Sequence, residues 1–279
     1  MILLPFRSCP IAGGWQAVGV VFLQYISLYT ALWSLLMSRT IFITGVSSGI
    51  GHGLGTAYLK NGDRVFGVSR RVPENLGKNP RFSHLALDLT DHKLVRRKLP
   101  ALFGDLKEID ICILNAATLG KFGDLVTGDM EDMQRTMQLN LWANQNILSV
   151  LYADGLELKQ VVGISSGASI SGNRGWGAYS LSKSALNMLI RLYAKERPGT
   201  HFAAFAPGIV DTAMQEYLCD LPHDPRFPAL VVLRKKRGTS EMPDPQTAGE
   251  RFLPVFDCFP ELVESGAYLD IRKLPALLK

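Results

Sequence analysis

Tyr179 and Lys183 stand four residues apart, at the head of a run in which Leu186, Leu189, Ile190 and Tyr193 recur at spacings of three and four. That period predicts a helix over 177–197 with one buried face, and positions four apart on a helix lie one turn above each other. A phenol and an ammonium then share one side. A free phenol ionises near pH ~10. A cation beside it stabilises the phenolate, so the spacing predicts a tyrosine with a lowered pKa that can exchange a proton near neutrality.

The second constellation is Thr44-Gly45-Val46-Ser47-Ser48-Gly49-Ile50-Gly51, between a β-rich run and a helical one. Glycines there allow a tight turn and close approach of the backbone to a diphosphate, which meets the free N–H groups at the helix start. Gly45, Ser47, Ser48, Gly49, Ile50 and Gly51 are therefore candidate nucleotide-binding residues. Their spacing is G-x-x-x-G-x-G rather than G-x-G-x-x-G.

These residues need elements to hold them. Strand signals fall at 40–44, 64–69, 82–87, 110–114, 160–165, 201–206 and 267–271, alternating with helical runs at 51–61, 129–151 and 177–197. Such alternation predicts an α/β fold: one doubly wound domain over 37–279, with about seven mostly parallel strands and helices on both faces. Pro-rich, charge-mixed sequence within 213–245 interrupts the alternation and reads as a lid insertion. Gly53 and Gly55 cost the first helix ~1 kcal/mol each relative to Ala, with no local reason.

A net charge of +5 is mild, and its two basic clusters, 96–98 and 234–237, lack interleaved aromatics, so no nucleic-acid partner is expected. Four widely spaced cysteines and five histidines form no metal-ligand pattern, so no metal is expected. The cysteine usage suits a reduced, cytoplasmic protein. Residues 11–37 carry no charge and are long enough as a helix to cross ~30 Å of hydrocarbon. Residues 1–36 admit three readings: a membrane anchor, a signal segment, or translated sequence ahead of a start at Met37. Contact with a membrane is expected only under the first.

With the glycine turn, Tyr179 and Lys183 in place, everything after Met37 resembles the short-chain dehydrogenase/reductase family. Further landmarks come in the family's order: Leu114-Asn115-Ala116-Ala117, Asn140, Ser166, and Pro207-Gly208-Ile209-Val210-Asp211-Thr212. Leu114 and Ala117 depart from the family's usual Asn and Gly. The resemblance implies a Rossmann fold and roles for four catalytic residues. Tyr179 gives a proton to a carbonyl oxygen as hydride arrives from a nicotinamide, and Lys183 holds the nicotinamide ribose. Ser166 hydrogen-bonds the substrate oxygen. Asn140 positions a water that links Lys183 to solvent. Asn115, Ala116, Pro207, Gly208, Val210 and Thr212 are implied cofactor contacts, and Asp88 matches the aspartate that faces the adenine. Self-association as a dimer or tetramer is implied by analogy.

Cofactor choice is read at 68–71, where an acid suited to the 2′-hydroxyl of NAD is missing. Ser69 and Arg70 suit a 2′-phosphate instead, so NADPH is expected. Within the family, 175–179, 206–215 and 265–270 resemble the sepiapterin reductase and benzil reductase branch. The implied partner is a small carbonyl compound, a ketone or vicinal dicarbonyl, with Trp176 and Met214 as pocket walls. Asp270 is implied as an anchor for a pterin ring, or it is a solvated strand-end acid.

Overall fold

The computed structural model describes residues 38–274. The chain runs β1 (Thr40–Thr44), α1 (Gly49–Lys60), β2 (Arg64–Ser69), α2 (Glu74–Gly77), β3 (Phe82–Ala86), α3 (His92–Lys98), α4 (Pro100–Phe103) and β4 (Glu108–Leu114). It continues through α5 (Met130–Met137), α6 (Ala143–Ala153), β5 (Glu157–Ile164), α7 (Ala168–Ser171), α8 (Gly177–Glu196) and β6 (His201–Ala206). Last come α9 (Ala213–Asp220), α10 (Pro228–Lys236), α11 (Pro245–Asp257), α12 (Phe259–Leu262) and β7 (Ala267–Asp270). The apolar stretch 11–37, with its possible anchor, lies outside the described residues. No helix among the described residues is long and apolar enough to cross a membrane.

Seven strands pair in the order β3-β2-β1-β4-β5-β6-β7, every pair parallel. Strand order reverses between β1 and β4, and the crevice beyond their C-terminal ends is where an open α/β sheet binds ligands. Side chains alternate across each strand, so β1 sends Phe42 into one core and Ile41 and Ile43 into the other. The Phe42 core packs under α6 and α8, and the Ile41 core under α1, α11 and α12. Each such side chain stabilises by ~1.5–3 kcal/mol when fully buried.

Gly53 and Gly55 find their reason here. A Cβ on Gly53 would lie 1.8 Å from the Pro245 carbonyl oxygen, and one on Gly249 would lie 2.4 Å from the Gly53 carbonyl. Helices α1 and α11 therefore cross backbone to backbone, and the propensity cost at Gly53 permits that contact. A Cβ on Gly55 would press Leu76 at 3.0 Å.

One local expectation is corrected. The helix expected over 129–151 is broken by a π turn over Gln138–Trp142, which carries Asn140. The lid is itself helical. Helices α9 and α10 bury Leu218, Cys219, Leu230 and Leu233 in a third apolar cluster with Leu119, Phe227 and Met242.

Candidate active site

The glycine turn is built by contacts that leave no room for larger residues. Gly45 sits at φ +72°, where L side chains are strained, and a Cβ there would lie 2.8 Å from the Ala116 Cα. The buried Thr44 hydroxyl accepts the N–H groups of Asn115 (2.9 Å) and Ala116 (3.0 Å). Asn115 Nδ2 donates to the carbonyl oxygens of Thr44 (2.9 Å) and Gly45 (3.2 Å). Asn115 thus braces the turn that it also lines. A Cβ on Gly51 would lie 2.4 Å from both Asn115 Nδ2 and the Gly45 oxygen, so Gly51 serves close packing and does not face the cavity.

Helix α1 has no acid in its first turn, and the extended Ser48 before it places no side-chain cap on its N–H groups. Those donors, with the positive end of the helix, fit a diphosphate. The turn opens into a cavity of about 870 Å³ at the ends of β1, β2, β4, β5 and β6. Every cofactor-binding residue expected from the sequence lines it except Gly51. Tyr179, Lys183, Ser166, Trp176 and Met214 line it too, whereas Asn140 and Asp270 do not.

Lys183 is fully buried, and its Nζ donates to the Ile164 carbonyl oxygen at 2.7 Å. Burial pulls its pKa down to about 7. The ammonium lies 5.7 Å from the Tyr179 ring centroid. Burial pushes the Tyr179 phenol up to about 12, and its hydrogen bond with Ser166 pulls weakly the other way. The expected lowering of the tyrosine pKa is therefore corrected for this state. Desolvation dominates in this state, and the lysine Nζ donates to the Ile164 carbonyl oxygen.

Asn140 is fully buried and both of its amide hydrogens are committed. It accepts the Thr118 N–H (2.8 Å) and donates to the Thr118 carbonyl (2.8 Å) and the Ser182 hydroxyl (2.9 Å). Ser182 in turn donates to the Tyr179 carbonyl at 2.8 Å. The π turn is thereby tied to the first turn of α8, which frames the site. Behind Ser166, Ser169 Oγ donates to the Ser166 carbonyl (2.7 Å) and accepts from Asn187 Nδ2 (2.9 Å). Sequence reading missed Thr118, Ser182, Ser169 and Asn187, because each acts on backbone that only the fold brings near.

At the far side, Arg70 and Arg71 are exposed on the cavity wall. Ser69 Oγ donates to the Arg71 carbonyl oxygen at 2.7 Å and lies 2.9 Å from His84 Nε2. Its one proton is committed, which corrects the expectation that Ser69 donates to a phosphate. Asp88 is held ionised by the N–H (2.9 Å) and hydroxyl (2.7 Å) of Thr90, with the Arg70 charge adding to the effect.

Asp270 is corrected most. It is buried at the end of β7, and Arg272 donates to it from its backbone N (3.0 Å), Nε (2.8 Å) and Nη2 (2.5 Å). These bonds hold the carboxyl below its usual range against the desolvation of its site. A solvated acid does not describe it. It is a paired carboxylate, set off the cavity.

A parallel sheet with a glycine turn at its switch point and a Tyr-x-x-x-Lys helix beside it is the frame of a nucleotide-dependent oxidoreductase. The family model for short chain dehydrogenases matches residues 39–220, and the chain belongs to this family of NAD(P)-dependent oxidoreductases. It is 31% identical over 193 residues to a benzil reductase ((S)-benzoin forming) of Bacillus cereus, covering 63% of this chain and 78% of that one. It is 29% identical over 190 residues to an NADPH-dependent pterin aldehyde reductase of Arabidopsis thaliana, covering 65% and 78%. Among solved structures, a short chain dehydrogenase/reductase of Saccharomyces cerevisiae superposes with a TM-score of 0.73 at 25% identity, covering 86% of this chain and 98% of that one.

Proposed function

We propose that this chain is an NADPH-dependent carbonyl reductase that converts a ketone or vicinal dicarbonyl into an alcohol. The observation that carries the reading is Tyr179 hydrogen-bonded to Ser166 in a cavity whose adenosine side offers Arg70 and Arg71. A nicotinamide held in this cavity supplies hydride. The N-terminus of α1 would hold the diphosphate, Arg70 and Arg71 the 2′-phosphate, and Lys183 the nicotinamide ribose.

Proton chemistry falls to the protein. With its pKa up at about 12, Tyr179 keeps its proton across the physiological range, as an acid serving a carbonyl oxygen must. Ser166 donates to the same oxygen, and one such preorganised donor is worth ~3–4 kcal/mol in the transition state. Lys183, when protonated, stabilises the phenolate left behind. Leu119, Trp176, Met214 and Leu218 give the cavity an apolar side that excludes water and suits a neutral, flat carbonyl compound.

The likeness to both reductases supports this substrate class. With Asp270 committed to Arg272, an aromatic or aliphatic dicarbonyl is favoured over a pterin. The test is an NADPH-oxidation screen over benzil, aliphatic diketones, sepiapterin, steroids and acyl thioesters. Benzil-type diketones should be consumed fastest. NADPH binding without oxidation by any of them would replace the enzyme reading with that of a nucleotide-binding sensor.

A further inference from the structure

Arg70 and Arg71 project from the turn after β2, and ordering a long arginine side chain costs up to ~2 kcal/mol of rotamer freedom. A loose turn would leave two such chains to find a phosphate separately. This turn is not loose. Ser69 Oγ sits 2.7 Å from the Arg71 carbonyl oxygen, and a carbonyl only accepts, so the hydroxyl proton points there. His84 Nε2 lies 2.9 Å from the same Oγ. With its proton spent, the hydroxyl can only accept from the ring, which requires a hydrogen on Nε2.

His84 belongs to the neighbouring strand β3, opposite Gly67 in the register, and its ring stacks on Phe82 at 6.0 Å between centroids. A donor on β3 is therefore relayed through the last residue of β2 to the backbone of the arginine turn. Ser69 has nothing left to donate, so a phosphate placed there draws its hydrogen bonds from the two guanidiniums.

We infer that His84 is a positioning residue for cofactor choice: by donating to Ser69 it closes the 69–71 turn and presents Arg70 and Arg71 together to a 2′-phosphate. The inference rests on the NADPH reading and deepens it.

Binding of 2′,5′-ADP and 5′-AMP to the full chain, measured by calorimetry, tests it without turnover. The wild type should prefer 2′,5′-ADP by at least about tenfold, as expected for charge-assisted pairing. His84→Phe keeps a stacking ring and removes the donor. It should cut that preference about fivefold through weaker 2′,5′-ADP binding alone, with 5′-AMP unchanged. His84→Gln restores an N–H at the same reach and should return the preference to within about twofold of the wild type. An unchanged preference in His84→Phe, equal weakening of both nucleotides, or failure of Gln to rescue would overturn the inference. A wild type that does not discriminate would overturn the NADPH reading, and this inference with it.

Discussion

The two walls of the cavity are built on different principles. The cofactor-facing wall hangs on the sheet, with Thr44, Gly45, Gly51 and Asn115 held by hydrogen bonds and contacts too close for a Cβ. The lid-facing wall is an apolar cluster of its own, in which Phe122 stacks edge-on against Trp176 and Phe227, each at 4.8 Å. Its surface clasp is a set of exposed ion pairs, Arg174 to Asp124 at 2.5 Å and Arg226 to Asp124 at 2.9 Å, which water and salt screen. One wall is fixed mainly by backbone contacts, and the other by side-chain packing and screened ion pairs. A cofactor shared across a family suits the first, and a substrate that varies within it suits the second.

The comparison is broken first at Lys183. Lys183→Met should lower kcat by about a thousandfold if the ammonium stabilises the phenolate. It should also change how stability depends on pH. Burial brings the folded pKa down to about 7 from the 10.5 of a free lysine. Between those values the unfolded chain binds more protons, so wild-type stability rises with pH through this window. Urea midpoints followed from about pH 7 to about pH 10 should show that rise, and the variant should lack this part of it.

Gly51→Val is the next largest. Its new Cβ meets Asn115 and the Gly45 carbonyl, so the brace must open, and NADPH affinity should fall about a hundredfold in a fluorescence titration. The lid should respond less. Phe122→Ala removes both ring contacts and should raise KM for a diketone about three- to tenfold, with NADPH affinity within about twofold. If the Gly51 and Phe122 variants altered cofactor affinity alike, the two walls would be one mechanical unit. Asp270→Asn should do least, changing KM for benzil and for a pterin ketone equally and by no more than about threefold. A selective loss of the pterin ketone would bring Asp270 back as a substrate residue.

What was legible followed how local each signal is. The seven strands could be read because apolar runs and turns mark each one, and Tyr179, Lys183 and the glycine turn because their spacing lies within one element. Partnerships across the sheet were not legible. Gly53 looks like a defect until Gly249, nearly two hundred positions on, arrives against it. Asn140 sits in an ordinary helical pattern, and only Thr118 and Ser182 together turn it inward. Asp270 was misread although its partner is two residues away. Arg272 could have raised the pairing, but nothing in the spacing says which of the two faces a ligand. The tyrosine pKa was misjudged because charge proximity can be read from a helix period, whereas desolvation depends on everything packed around the pair.

The central claim is that Tyr179 protonates a carbonyl oxygen in a site that binds its cofactor independently of that proton. Wild-type chain and Tyr179→Phe, each mixed with NADPH and benzil, test it in one stopped-flow measurement of NADPH absorbance, with NADPH affinity taken separately by fluorescence. The account predicts that the variant consumes NADPH at least about a thousandfold more slowly than the wild type while binding it within about twofold as tightly. Oxidation by the variant at the wild-type rate would contradict it.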